Sequence, residues 1–182
     1  MSLNKRVRCD KALSIILYIL SHGCTNMYNL LKVIYFADKE HIRLSGNTMY
    51  RENYYALQKG PVPSTAYDML KYIRGDGICD FDCLRDAPFH FSSEYEIVAD
   101  KEYNADFLSD IDYICLNDSL KKYGTMPMGQ LITASHEESD YKEAEADDRI
   151  SFESLVKSVD TDGSIMRHIK NVTEQSVTAE AI

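Results

Sequence analysis

The stretch Met27-Tyr28-Asn29-Leu30-Leu31-Lys32-Val33-Ile34-Tyr35-Phe36-Ala37-Asp38 decides the fold. Met27, Leu30, Leu31, Val33, Ile34, Tyr35 and Phe36 leave a helix little polar surface before Asp38, and a helix apolar almost all round must be buried. Thr25 or Asn26 can cap its start, and Ser45-Gly46 should end it. Upstream, Asp10 can cap a first helix whose Ala12, Ile15, Ile16, Ile19 and Leu20 share one face, with Gly23 as its stop. Lys5-Arg6-Val7-Arg8 then fall in a short basic arm over residues 1–9. Downstream, Tyr54-Tyr55-Ala56-Leu57 reads as a short strand that Lys59-Gly60-Pro61-Val62-Pro63 breaks. Ser64 is a candidate cap for a third helix through Ala66, Tyr67, Leu70 and Ile73, closed by Gly75 and Gly77.

Phe89-His90-Phe91 and Tyr95-Glu96-Ile97-Val98 predict a small hairpin. Ser109 followed by Asp112 resembles a capping box, and Ile111, Ile114, Cys115, Leu116, Leu120 and Tyr123 carry a fourth helix to Gly124. Pro127 opens a short fifth helix through Gln130, Leu131 and Ile132 to Ser135 and His136. Between Glu137 and Asp148 seven of twelve residues are acidic, which predicts a largely solvated stretch with Tyr141 as its only bulky anchor. Phe152, Leu155, Val156 and Val159 suggest a sixth helix. Ile165, Met166, Ile169 and Val172, in the tail 161–182, are too few for a firm element, so the tail frays or docks on a partner. The expectation is a mostly α (α+β) domain over residues 10–160: a compact bundle of five to six helices around a long central helix, with a small antiparallel hairpin.

The formal net charge of −9 argues against general nucleic-acid coating. That average hides a division. Residues 1–75 carry 11 basic and 5 acidic side chains, a net +6, whereas residues 76–182 carry 9 and 24, a net −15. No apolar run approaches the ~18 residues of a membrane span. The five cysteines are scattered with no CxxC pair, and no export segment is evident, so reduced thiols in a cytoplasmic protein are expected.

Asp38 and His41, three residues apart on the central helix, could ligate a metal, but such a site needs three or four ligands and no local partner is visible. A hydrogen-bonded, half-buried pair is the plainer expectation. His136, followed by Glu137, Glu138 and Asp140, lacks the paired histidines of a helical zinc protease. The glycines form no phosphate loop and no serine sits in a GxSxG elbow. An enzyme using Asp38, His41 and His136, metal-dependent or acid-base, stands as an alternative; no catalytic residue, metal ligand or cofactor is assigned. A DNA-binding regulator is a second alternative, with the first two helices as a helix-turn-helix and the +6 segment on phosphates. A recognition helix must keep one face free for bases, however, and Asn29 to Asp38 is too apolar for that. Thirteen tyrosines without a tryptophan, including Tyr50, Tyr54, Tyr55, Tyr67, Tyr72 and Tyr141 outside obvious core stripes, suit a protein interface, although at least half should pack their rings.

The order of three segments is specific: a helix reading K-x-x-Y-F-A-D-x-E-H from Lys32 to His41, a strand of the form Y-x-A-x-x-x-G-P-V-P from Tyr54 to Pro63, and Gln130-Leu131-Ile132-Thr133-Ala134-Ser135-His136 downstream. Together they resemble the Panacea domain of SocA-like antitoxins, also labelled phage-associated GepA-like proteins, across about residues 10–145. Where many members carry a tryptophan after that histidine, this chain has Tyr141. The resemblance implies a non-enzymatic antitoxin that binds and neutralises a co-encoded protein toxin, in some members as an adaptor to a protease of the AAA+ type. It marks Tyr35, Asp38, His41, Tyr54, Tyr55, Lys59, Gly60, Pro61, Val62, Pro63, His136 and Tyr141 as family-motif positions, serving either partner binding or the fold. No membrane partner is implied, and nucleic acid is expected at most on a local basic patch.

Overall fold

The computed structural model describes residues 3–78 and 81–179, with side chains from 6 to 171 within that range. The chain is mostly helical with small antiparallel sheets. Helices α1 (Leu3–Ser21) and α2 (Met27–Ser45) lead into a hairpin of β1 (Tyr54–Leu57) and β2 (Gly60–Pro63), then α3 (Ser64–Arg74). A second hairpin, β3 (Phe89–Phe91) and β4 (Ile97–Ala99), precedes α4 (Asp110–Tyr123), α5 (Met128–His136) and the single-turn α6 (Ser139–Lys142). Strand β5 (Arg149–Ile150), α7 (Phe152–Val159) and α8 (Ser164–Ala179) complete the order. No helix among the described residues is long and apolar enough to cross a membrane.

Helix α2 is the axis, as its sequence demands. Asn26 caps it by accepting from the Tyr28 N–H, and Gly46, at φ 75°, ends it in the left-handed region. Every residue from Asn29 to Lys39 is buried, the polar ones included. Helix α4 packs along its length: the Asn29 amide donates to the carbonyls of Tyr123 and Met126 at 2.9 Å each, and the Ser119 hydroxyl to that of Val33. Phe36 stacks on Tyr123 with ring centroids 3.8 Å apart. The β3–β4 hairpin is pinned to the start of α2, because Thr25 and Asn26 both donate to the Glu96 carboxylate.

Several expectations change. Helix α1 begins at Leu3 rather than being capped at Asp10, so Lys5-Arg6-Val7-Arg8 is helix and not arm. Arg8 is held there by donating to the carbonyls of Tyr50 and Arg51, at 3.0 and 2.7 Å. The Gly60–Pro63 segment does not break β1 but pairs with it, Tyr55 opposite Val62 and Leu57 opposite Gly60. Prolines are tolerated because β2 is an edge strand in the order β2-β1-β5. Ala56 spends its N–H and C=O on residues 147 and 148. Tyr55 and Leu57 therefore face β2, and Pro61 and Pro63 fall at the alternate positions, where no ladder N–H is needed. The acidic run is not simply solvated, since Asp140 is 1% exposed. The tail forms α8, whose first turn donates from the N–H groups of Ile165 and Met166 to Asp160. Ile165, Met166 and Ile169 pack on the core, while the Val172 side chain lies outside the described residues, as does Cys79. Cys24 and Cys115 are buried thiols that burial pushes up to about 12, and no disulfide joins the described cysteines.

Ser64 does not cap α3. That role falls to Glu52, 5% exposed, whose carboxylate accepts from the N–H groups of Thr65 and Ala66, from the Asn53 N–H and from the Tyr50 hydroxyl. A buried anion at a helix N-terminus satisfies several orphan donors at once. Replacing it leaves them unpaired in the interior. Glu52→Ala should therefore lower unfolding stability by at least ~2 kcal/mol in urea titration, and an unchanged midpoint would show that water satisfies these donors equally well.

Candidate functional site

The three motif segments meet around Gly60. Lys32, 3% exposed, reaches from α2 to donate its Nζ to the Pro61 carbonyl at 2.6 Å. Burial lowers its pKa to about 7. Gly60 sits at φ 95°, and a Cβ there would lie 2.4 Å from Ser135 Oγ and 2.8 Å from Lys32 Nζ. Only glycine combines that backbone angle with that approach of α2, β2 and α5. His136, ending α5, stacks on Tyr141 with centroids 4.5 Å apart, and the Tyr141 hydroxyl donates to the Leu57 carbonyl at 3.0 Å. Nε2 of His136 is buried and makes no hydrogen bond within the described residues.

One turn along α2, Tyr35 and Lys39 take hold of α6. The Tyr35 hydroxyl donates to Asp140 Oδ2 at 2.8 Å and Lys39 Nζ to Oδ1 at 2.7 Å, while Lys39 also pairs with Glu138. Burial, reinforced by Asp140, raises the Tyr35 hydroxyl far above its ordinary pKa, so it remains a donor. Asp38, 1% exposed, accepts from the Met49 N–H at 2.7 Å and from the Tyr54 hydroxyl at 2.6 Å. Desolvation dominates those bonds and raises its carboxyl to about 7. His41 faces elsewhere. Its Nδ1 meets the Asn47 carbonyl at 2.6 Å and its Nε2 lies 3.3 Å from Asp112, which also pairs with Lys11 at 2.6 Å. Burial opposes the charged imidazole, but the Asp112 and Asn47 contacts outweigh it and raise His41.

Asp38 and His41 are thus both buried, each with its own partners, rather than a half-buried pair. Asp38, His41 and His136 each turn to different partners, and no group of three His, Cys, Asp or Glu side chains among the described residues is placed to hold a metal ion. The helix-turn-helix version of DNA reading is overturned by the burial of α2 on every face from Asn29 to Lys39. Of the tyrosines expected near an interface, Tyr50 and Tyr54 are buried, Tyr67, Tyr72 and Tyr141 are half-buried, and Tyr55 is exposed. Lys59 is also exposed, lying 4.4 Å from the centre of the Tyr28 ring and donating to its hydroxyl. Val62 and both prolines of β2 are buried. Sequence reasoning missed Asp140, Glu52 and Asp112 as partners. Their acidity was visible, but nothing local distinguishes a carboxylate that folds inward.

Two measurements test this arrangement. Removing one member of a buried ion pair strands the other, at a cost of about 3–5 kcal/mol. Lys39→Met should be destabilised on that scale, and Lys39→Met combined with Asp140→Leu by ~1–3 kcal/mol less than the sum of the singles. Strict additivity in denaturant unfolding would refute the pairing. Asp38, with its folded value raised to about 7, holds a proton that the unfolded chain releases near pH ~4. Its contribution to stability is complete below pH ~4 and is lost as pH rises through 7. Wild-type stability should therefore fall relative to Asp38→Asn between pH 4 and 7, and parallel profiles would contradict the buried carboxyl.

The motif segments, the glycine that admits Lys32 and Ser135, and the α2–α6 clamp are all joined to α2 or to one another. A family model described as "Antitoxin SocA-like, Panacea domain" matches residues 30–142. No curated protein and no solved structure gives a significant match. The matched span begins in the first turn of α2 and ends with α6, so it encloses the whole Gly60 junction and the Lys39–Asp140 pair. By that match, the chain belongs to the SocA-like antitoxin family defined by the Panacea domain.

Proposed function

We propose that this protein neutralises a co-encoded protein toxin by binding it directly, with delivery of the bound toxin to a protease of the AAA+ type as the route by which binding becomes clearance. The match to an antitoxin domain over residues 30–142 carries the reading. The geometry supports it in one respect: Lys32, Tyr35, Asp38, Lys39 and Tyr54 direct their polar groups at partners inside the chain. Side chains so engaged build a scaffold, and recognition then falls to exposed residues. Such a division of labour suits a domain that serves different toxins with one framework.

Co-expression with the product of the adjacent reading frame tests the proposal. Growth should be rescued, and the two chains should co-purify. If delivery operates, the toxin's half-life should shorten in the presence of this chain and recover when the protease is deleted. Toxicity without rescue, or rescue without a physical complex, would overturn neutralisation by binding.

A further inference from the structure

A surface cleft of about 250 Å³ opens where the 47–53 loop meets the end of β5 and the start of α7, lined by Arg51, Arg149, Asn47, Asn53 and Phe152. Its charge is unbalanced. Neither Arg51 nor Arg149 has an ion-pair partner among the described residues, and the Arg149 guanidinium donates to the neutral Asn53 amide oxygen. The one carboxylate in the lining, Glu52, is turned inward, with its oxygens spent on the N-terminus of α3 and on Tyr50. Asp148 lies beside Arg149 in the chain and accepts from its backbone N–H at 3.0 Å.

The positions are held rather than loose. Arg51 has φ 57°, in the left-handed region, and its carbonyl is gripped by Arg8, so a third guanidinium stands at the same corner. Arg149 is opposite Tyr55 in the β1–β5 pairing, and both are exposed on the outer face of a sheet whose Tyr54, Ala56 and Ile150 face the core. Phe152 is 38% exposed and Tyr55 is 38% exposed. Two arginines, a tyrosine and a phenylalanine on a rigid support have the composition of an interface hot spot.

We propose that this cleft, with the adjoining Tyr55, is the docking surface for the protein partner, and that it receives an acidic loop whose Asp or Glu side chain is taken by Arg51 and Arg149. The proposal rests on the antitoxin reading and adds to it a location and a partner chemistry. Charge complementarity selects an acidic occupant, since guanidinium groups bind carboxylates with paired, directional hydrogen bonds. Dimensions favour a protein: the cleft accommodates a side chain or short loop, whereas duplex binding needs a track of many phosphate contacts. Arg149 and Phe152 lie beyond the matched span of residues 30–142. Two of the cleft's lining residues thus come from outside the matched domain, whereas the Lys32 and Asp140 contacts lie within it.

The test uses the full chain with the purified product of the adjacent reading frame, measured by calorimetry. Arg51→Glu combined with Arg149→Glu should weaken binding by about 100-fold or more, and Phe152→Ala by at least ~10-fold. Lys121→Glu, on the exposed side of α4, should leave it within ~2-fold. Circular dichroism melts confirm that each variant is folded, and Arg51→Gln with Arg149→Gln replaces the reversal if it is not. Wild-type affinity in the folded reversal variant overturns the surface and leaves the antitoxin reading standing. Failure of the wild-type chain to bind overturns that reading itself. A labelled 20-base-pair duplex and the concentration dependence of the chain's own mass complete the experiment. Duplex binding or dimer formation that the reversal abolishes would make nucleic acid or a second copy the occupant and sink the acidic-loop assignment.

Discussion

The structure depends on a helix that must be buried all round although it carries Lys32, Asp38, Lys39 and His41. Each of these is 8% exposed or less. An isolated charge in the interior is untenable, so each of these groups requires a partner, and α2 itself offers only the Tyr35 hydroxyl to Lys39 and the Ser45 hydroxyl to His41. The other partners come from distant segments: the Pro61 carbonyl for Lys32, Tyr54 and the Met49 N–H for Asp38, Asp140 and Glu138 for Lys39, and Asp112 with the Asn47 carbonyl for His41. Satisfying the helix therefore fixes β2, β1, α6 and α4 around it. Apolar burial supplies the drive, and these few directional contacts select the arrangement.

The same contacts give meaning to the charge division of the chain. The basic first part and the acidic remainder are joined to each other: Lys11 to Asp112, and Lys39 to Glu138 and Asp140. Part of the split is thus consumed in folding and is not displayed to a partner. What remains outside is local, and the arginines of the 47–53 loop and β5 belong to that remainder. Against a net charge of −9 for the whole chain, those exposed arginines are a local exception.

Much of the fold is legible in the sequence because helix boundaries are local chemistry. Asn26, Gly46, Gly75 and the Ser109–Asp112 capping box act where their types suggest. What escapes is non-local. No property of Glu52 as a single residue says that it will fold back onto the start of α3. The run from Glu137 to Asp148 looks solvated because its composition is acidic, yet one member, Asp140, is drawn inward by a tyrosine and a lysine about a hundred positions earlier. Gly60-Pro61-Val62-Pro63 reads as a strand breaker because proline lacks a donor, and only the edge position of β2 makes it a strand. The family motif was visible as a pattern, but its role as an internal clamp depends on which segments it joins.

Lys32, Tyr35, Lys39 and Asp140 are engaged inside the chain as a scaffold, and the proposed partner surface lies on exposed residues apart from them. The crystal structure of the complex with the product of the adjacent reading frame tests that division most directly. In that complex Lys32 should still hold the Pro61 carbonyl, Asp140 should still bridge Tyr35 and Lys39, and partner atoms should touch only exposed residues. A partner side chain inserted at Gly60 or replacing Asp140 on Lys39 would contradict that division, and the motif would then be the recognition site itself.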